Sequence, residues 1–179
     1  MRQRVLTFKP LSSVALGCLL AFACTDSGAL TWERVETLIA DTFPTVKHIT
    51  TVELSALLEN GDKAIIILDA REHAEYSVSH LQNAHYISMD LERALNAVKA
   101  QPDAVVVTYC SVGYRSAQLA QLLQQAGHKN VLNLEGSLFK WASEGRPVFR
   151  DDTLVQEVHP FDETWGALLP ENFWSYGTS

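Results

Sequence analysis

An α/β fold, with a mainly parallel sheet and helices on both faces, is what this sequence predicts, and three observations predict it. Short apolar runs rich in β-branched residues recur at Ala64–Leu68, Val105–Tyr109 and Val131–Leu134. Stretches with apolar residues at helical spacing lie between them. Glycine, proline or capping residues mark the changes of period. Strands alternating with helices need crossover connections, which make the strands parallel and lay helices on both faces.

In chain order, Thr31–Asp41 carries Trp32, Val35, Leu38 and Ile39 at helical spacing and stops before Pro44. His48-Ile49 is a short strand. Thr50 and Glu53 have capping-box spacing, Leu54, Leu57 and Leu58 form the apolar stripe behind them, and Asn60-Gly61 is the stop. After the strand Ala64–Leu68 comes a polar stretch, Asp69–His80, and then a short strand, His85-Tyr86-Ile87. Ser88 and Asp90 are caps for a helix bearing Leu91, Ala94, Leu95 and Val98, and Pro102-Asp103 turns the chain into Val105–Tyr109. Leu119, Leu122, Leu123 and Ala126 mark the next helix, which Gly127 ends. Val131–Leu134 is the last strand, followed by a turn at Gly136, a short helix Leu138–Ser143 with Trp141 inward, and a close at Gly145 and Pro147.

The net charge is −7, and without the first 23 residues the balance is 11 bases against 21 acids. Nucleic-acid affinity rests on phosphate neutralisation by Lys and Arg, so nucleic acid is not an expected partner. Met1–Pro10 holds Arg2, Arg4 and Lys9, and an uncharged run, Leu11–Ala23, follows. That run is short for a membrane span of about 20 residues. It reads as an export signal over residues 1–23, with Ala21-Phe22-Ala23 as an A-x-A cleavage site. Leu20–Cys24 also resembles the lipobox of bacterial lipoproteins, with Ala21 where leucine is usual and Cys18 as a weaker competitor. Export to the periplasm is expected, and a lipid on Cys24 would be the membrane anchor. Only Cys24 and Cys110 then remain, too few for a disulfide framework.

Cys110 stands where a buried strand gives way to a helix, with Gly113 and Arg115 in the intervening loop Cys110–Ser116. Unpaired amides at a helix N-terminus point at whatever lies before them, and a curled loop forms a nest of further donors. Such a setting, with Arg115 beside it, lowers a thiol pKa from about 8.5 toward the range of activated cysteines. Ligands of parallel α/β sheets sit beyond the carboxyl ends of the strands, where Cys110 falls. The bland alternative is a buried, inert cysteine. The histidines show no metal-ligand spacing, no phosphate-binding glycine fingerprint is present, and neither metal nor cofactor is expected.

Residues 150–179 differ in composition: Phe161, Trp165, Phe173, Trp174 and Tyr176 are punctuated by Pro160 and Pro170. Asp162 is the cap for one turn bearing Trp165, Leu168 and Leu169. So aromatic a segment is expected to pack over the domain, or else to serve as a dimer or partner contact.

Three separated motifs agree on a family. Leu68-Asp69-Ala70-Arg71-Glu72, with Glu75-Tyr76 and His80-Leu81, resembles the rhodanese signature D-x-R-E…E-Y…G-H-I-P-G-A. Cys110-Ser111-Val112-Gly113-Tyr114-Arg115-Ser116 is similar to its loop C-x-x-G-x-R-S. Asn133-Leu134-Glu135-Gly136, Trp141 and Gly145-Arg146-Pro147 resemble its closing motif. Ser79, Gln82 and Asn83 stand where glycine, proline and glycine are usual, and Ser137 replaces a second glycine. Asparagine tolerates a left-handed turn, so the backbone path is expected to be kept. The resemblance implies a rhodanese-like three-layer sandwich with a five-stranded, mainly parallel sheet. The expected organisation is a signal (1–23), an N-terminal helical extension (24–48), the rhodanese-like domain (49–149) and a C-terminal extension (150–179).

For chemistry, the resemblance implies sulfur transfer through a Cys110 persulfide. A small anionic donor, thiosulfate or polysulfide, would supply the sulfur, and the amides of Ser111, Val112, Gly113, Tyr114, Arg115 and Ser116 would hold it. With no second thiol in the domain, the acceptor would be external: cyanide, a thiol or another protein. Arg115 would either bind the donor or pair with a carboxylate to brace the loop. Arg71 and Glu75 lie near the family's site or form an ion-pair network behind it, and Asp69 at a strand end is structural. Two other readings stand beside this one. Cysteine phosphatases and arsenate reductases also use cysteine loops ending in arginine, but with five residues between the two, against four here. Rhodanese-like domains also serve as non-catalytic binding modules, usually after losing the cysteine.

Overall fold

The computed structural model describes residues 29–61 and 63–177, so residues 1–23, expected to be an export signal, and Cys24 lie outside the described residues. Its centre is a five-stranded sheet in the order β1 (Lys47–Ile49), β5 (Val131–Leu134), β4 (Val105–Tyr109), β2 (Ile65–Asp69) and β3 (His85–Tyr86). Every pairing within it is parallel. β4 lies in the middle, with Val107 paired to Ile67 on one side and to Leu132 on the other. A central parallel strand is covered on both faces and reads as a continuous apolar run, as Val105–Val107 does.

The right-handed crossover rule sorts the helices. Steps from β1 to β2 to β3 run one way along the sheet and put α2 (Thr51–Asn60) and α3 (His73–Val78) on one face. Steps from β3 to β4 to β5 run back and put α4 (Leu91–Lys99) and α5 (Tyr114–Gln125) on the other. Accordingly α1 (Trp32–Thr42) and α4 pack on α5, while α2 packs on α6 (Ser137–Ser143).

Local signals set most helix ends. Thr31 caps α1 by accepting the Arg34 amide, and Thr50 and Glu53 form the capping box of α2, which Gly61 closes at φ 66°. Asp90 caps α4 through the Arg93 amide. The core takes Val35 and Ile39 from α1, Leu54 from α2, Ala94 and Val98 from α4, Leu119 and Leu123 from α5, and Leu138 and Phe139 from α6. Each fully buried leucine removes enough apolar surface to contribute about 1.5–3 kcal/mol. Three stripe residues are corrected: Leu38 is exposed to the side of the line through Val35 and Ile39, Leu58 is exposed in the last turn of α2, and Ala126 is exposed as the C-cap past the end of α5.

Two elements depart from the sequence expectation. The polar stretch after β2 contains α3, six residues without an apolar stripe that bury Glu75 and Val78. Residues Val148–Arg150 (β6) and Thr153–Val155 (β7) form an antiparallel hairpin across the expected boundary at residue 149, with Asp151 at φ 51° in its turn. Beyond it, Val158 and Leu169 enter the core, and the Val158 amide bonds to the Phe173 carbonyl at 2.7 Å. Asp162 caps a short helix, α7 (Glu163–Gly166), through the Trp165 amide, and a 3-10 turn, Glu171–Phe173, follows. Asn83 takes φ 58°, the left-handed turn in which asparagine replaces the usual glycine. No described helix is long and apolar enough to cross a membrane.

Candidate active site

Cys110 follows β4 directly, and its loop is shaped by partners on four elements. The first amides of α6 donate to it: Leu138 N–H to the Cys110 carbonyl (3.1 Å) and Phe139 N–H to the Ser111 carbonyl (3.0 Å). Helix-terminal donors need acceptors, and here they take the loop carbonyls. With those carbonyls drawn toward α6, loop amides are left to face the sulfur. Gly113 N–H donates to Cys110 Sγ at 3.1 Å. Gly113 sits at φ 109°, where an added Cβ would lie 3.3 Å from Ile39 Cδ1, so the turn needs glycine. On β5, Asn133 Nδ2 donates to the Gly113 carbonyl (3.0 Å), and on β4 the Thr108 hydroxyl donates to the Ser116 carbonyl (2.9 Å).

Ser137 was expected only as a departure from glycine, yet it belongs to the seat. It takes φ 50°, beside Gly136 at φ 65°. Its buried hydroxyl accepts the Cys110 amide (3.1 Å) and donates to the Leu134 carbonyl (3.1 Å). A glycine there would relax the backbone but would leave a buried N–H without that acceptor.

Behind the loop stand two ion pairs. Arg115 grips Glu75 in a bidentate fork, Nη1 to Oε2 and Nη2 to Oε1, each at 2.7 Å. The Ser111 hydroxyl joins it, donating to Glu75 Oε1 (2.6 Å) and accepting from Arg115 Nη2 (3.0 Å). Glu75 Oε2 also accepts the Glu72 amide at 3.0 Å, which is what holds the first turn of α3. Deeper, Arg71 and Asp69 are fully buried and meet through Nη2 and Oδ2 at 2.6 Å. Arg71 then ties down the carbonyls of Glu75 (3.3 Å) and Ser79 (2.6 Å). The two arginines therefore sit in the carboxylate-paired arrangement that the sequence left open for Arg115.

Electrostatics follow from this geometry. Burial alone would push the Cys110 thiol up, but the Arg115 charge and the donors of Ser116 and Gly113 more than reverse it. The net effect is a thiol below its ordinary value. Burial would likewise raise the Glu75 carboxyl, and the Arg115 and Ser111 hydrogen bonds, with the Arg71 charge, hold it below the usual range. A lowered thiol pKa means thiolate persists at lower pH. Alkylation of Cys110 by iodoacetamide is therefore expected to continue well below the pH at which a free cysteine reacts. In Arg115→Met the opposing charge is gone and Glu75 adds an unpaired negative one. Its pH profile should move upward and its rate at neutral pH should fall several-fold. An unmoved profile would mean the loop donors alone keep the sulfur ionised.

Cys110 is only 1% exposed, at the bottom of a pocket of about 150 Å³. Ser111, Val112, Tyr114 and Arg115 line it from the loop, and Phe161 and Trp165 line it from the C-terminal segment. The Phe161 ring lies over the Arg115 guanidinium, 5.0 Å from Cζ to centroid. Phe161 takes φ 70°, held by its amide donating to His159 Nδ1 at 3.0 Å. The sequence expectation for these aromatics is packing over the domain or a dimer or partner contact; it does not place Phe161 or Trp165 at the Cys110 pocket. Among the described residues Cys110 is the free cysteine, and no three His, Cys, Asp or Glu side chains converge as metal ligands.

A family model described as Rhodanese-like domain matches residues 50–144. A tRNA uridine(34) hydroxylase from Enterobacter sp. is 25% identical over 131 residues, covering 70% of this chain and 37% of that protein. The chain thus spans well under half the length of the curated relatives it matches. Among solved structures, the rhodanese-like domain of the Alr3790 protein from Anabaena sp. has a TM-score of 0.50 at 25% identity. That match covers 59% of this chain and 80% of that one. A thiosulfate sulfurtransferase from Pseudomonas aeruginosa shares the fold, with a TM-score of 0.57 at 22% identity, over 68% of this chain and 23% of that one.

Proposed function

Because the chain belongs to the rhodanese-like domain family, we propose that it is a sulfurtransferase that carries sulfane sulfur on Cys110. The observation that carries this reading is the sulfur's seat: a buried thiol with a lowered pKa, an amide donor at 3.1 Å and a guanidinium at hand. The Cys110 thiolate attacks the outer sulfur of a donor, the donor's S–S bond breaks, and its electron pair leaves with the departing group. With thiosulfate the leaving group is sulfite. The product, a Cys110 persulfide, keeps its terminal charge under the same donors that held the thiolate. A second nucleophile then attacks the terminal sulfur, and Cys110 leaves as thiolate. Cyanide would give thiocyanate, and a thiol would give a new persulfide.

The reading extends to place and partners. Residues 1–23 support export, and Cys24 supports a lipid anchor. Nucleic acid stays outside it, since a net charge of −7 opposes binding that rests on phosphate neutralisation. Phosphatase chemistry is disfavoured by the four-residue spacing from Cys110 to Arg115 and by the commitment of Arg115 to Glu75. Incubation with inorganic polysulfide, followed by intact mass and peptide mapping, tests the reading. One sulfur gained on Cys110, with no hydrolysis of an aryl phosphate, is the expected result. Hydrolysis without a stable sulfur adduct would replace the reading with the phosphatase one.

A further inference from the structure

The pocket over Cys110 is a poor seat for a dianion. Arg115, the one cation among the described lining residues, is held in a two-pronged pair by Glu75, and Phe161 covers its face. The deeper cation, Arg71, is fully buried and paired with Asp69. Residues 151–177, from which Phe161 and Trp165 reach the pocket, hold six carboxylates and no Lys or Arg, so this part of the chain brings no cation to the site. Two of those, Asp162 and Glu163, are exposed between Phe161 and Trp165 in sequence. Val112, Tyr114, Phe161 and Trp165 offer apolar surface in the remaining lining.

A donor with a doubly charged head would enter without a free counter-charge and lose its water against aromatic side chains. A slim donor with an apolar tail gains from the same walls. We propose that Phe161 and Trp165 make this site selective for small organic hydropersulfides, R–S–SH, over thiosulfate. The inference rests on the sulfurtransferase reading and adds its substrate class.

The step balances without any external oxidant or reductant. Cys110 thiolate attacks the terminal sulfur of R–S–SH, and the donor's S–S bond breaks. R–S⁻ leaves with the electron pair, and the transferred sulfur is now bonded to Cys110 Sγ. Its proton passes to R–S⁻, which departs as the thiol R–SH and leaves the persulfide anion under the loop donors. The apolar R group stays against Phe161 and Trp165 while this happens. The same pocket then admits a slim acceptor to a sulfur that now stands about 2 Å nearer the mouth.

The test compares loading rates of Cys110 on the full chain with benzyl hydropersulfide, thiosulfate and inorganic polysulfide, read by peptide mass. Benzyl hydropersulfide is expected to load roughly tenfold or more faster than thiosulfate at equal concentration. Phe161→Asn removes the ring while suiting the positive φ, and it is expected to cut that ratio several-fold. Trp165→Leu should act in the same direction. Thiosulfate loading as fast as benzyl hydropersulfide would overturn the inference and leave the sulfurtransferase reading standing. A preference unchanged in both variants would also overturn it, since it would then belong to the donors' own reactivity. If none of the three donors loads Cys110, the sulfurtransferase reading itself fails and the inference falls with it.

Discussion

Cys110→Ser is expected to acquire no sulfur from any sulfane donor while remaining folded. The substitution changes one atom, and the hydroxyl fits where the thiol sat, within reach of the Gly113 amide and against the loop held by Ser137 and Asn133. Its effect on stability should be small, because volume and hydrogen-bonding pattern are nearly kept. The chemistry is lost for another reason. The same donors that hold a sulfur anion cannot bring an aliphatic hydroxyl near ionisation at neutral pH, and the described groups acting on this position, Arg115, Ser116 and Gly113, are donors and not bases. Transfer should drop by roughly four or more orders of magnitude, as when a covalent nucleophile is removed elsewhere. Intact mass after donor treatment reads it directly, and a thermal unfolding curve beside wild type shows that the fold is kept. A serine variant that still gains sulfur at this position would end the assignment.

Asp69→Asn is expected to be among the most destabilising single changes in the chain, at about 3–5 kcal/mol. Asp69 accepts the Arg71 backbone amide at 2.9 Å, Nε at 3.0 and 3.1 Å, and Nη2 at 2.6 Å, with both side chains at zero exposure. Asparagine keeps the shape but removes the charge, leaving a guanidinium buried without its counter-ion. The asparagine amide also turns one acceptor into a donor facing other donors. Against a typical total of about 5–15 kcal/mol, that loss is large. Lys140→Ala is the comparison, because its 2.9 Å bridge to Glu135 is a third exposed on both sides and should cost about 1 kcal/mol or less. Urea midpoints for the two variants measure the contrast. A loss below about 1 kcal/mol for Asp69→Asn would mean that water or a rearranged carboxylate reaches Arg71. The functional consequence follows through Glu75 and Ser79, whose carbonyls Arg71 anchors, since α3 carries the carboxylate that fixes Arg115.

Sequence alone was enough for the parallel α/β architecture, the strand that ends at Cys110 and the caps at Thr50 and Asp90. Those features depend on neighbours within one helical turn or one strand, so their period and capping chemistry are written locally. The six-residue α3 was not legible, because it has no apolar stripe and its first turn is held by the buried Glu75 carboxylate accepting the Glu72 amide. The β6–β7 hairpin was missed as well, since its turn is Asp151-Asp152 with no glycine to mark it. Within the site, the loop residues and an ion-pair network of Arg71 and Glu75 behind them could be named, but not which group each would meet. Arg115 meets a carboxylate 40 residues away, the Cys110 amide meets Ser137, 27 residues on, and Phe161 reaches the pocket from the far end of the chain. Those pairings are decided by the sheet order, which brings the ends of β2, β4 and β5 together. Distance along the chain carries no record of which buried charge will need which counter-charge, and only the packed structure settles it.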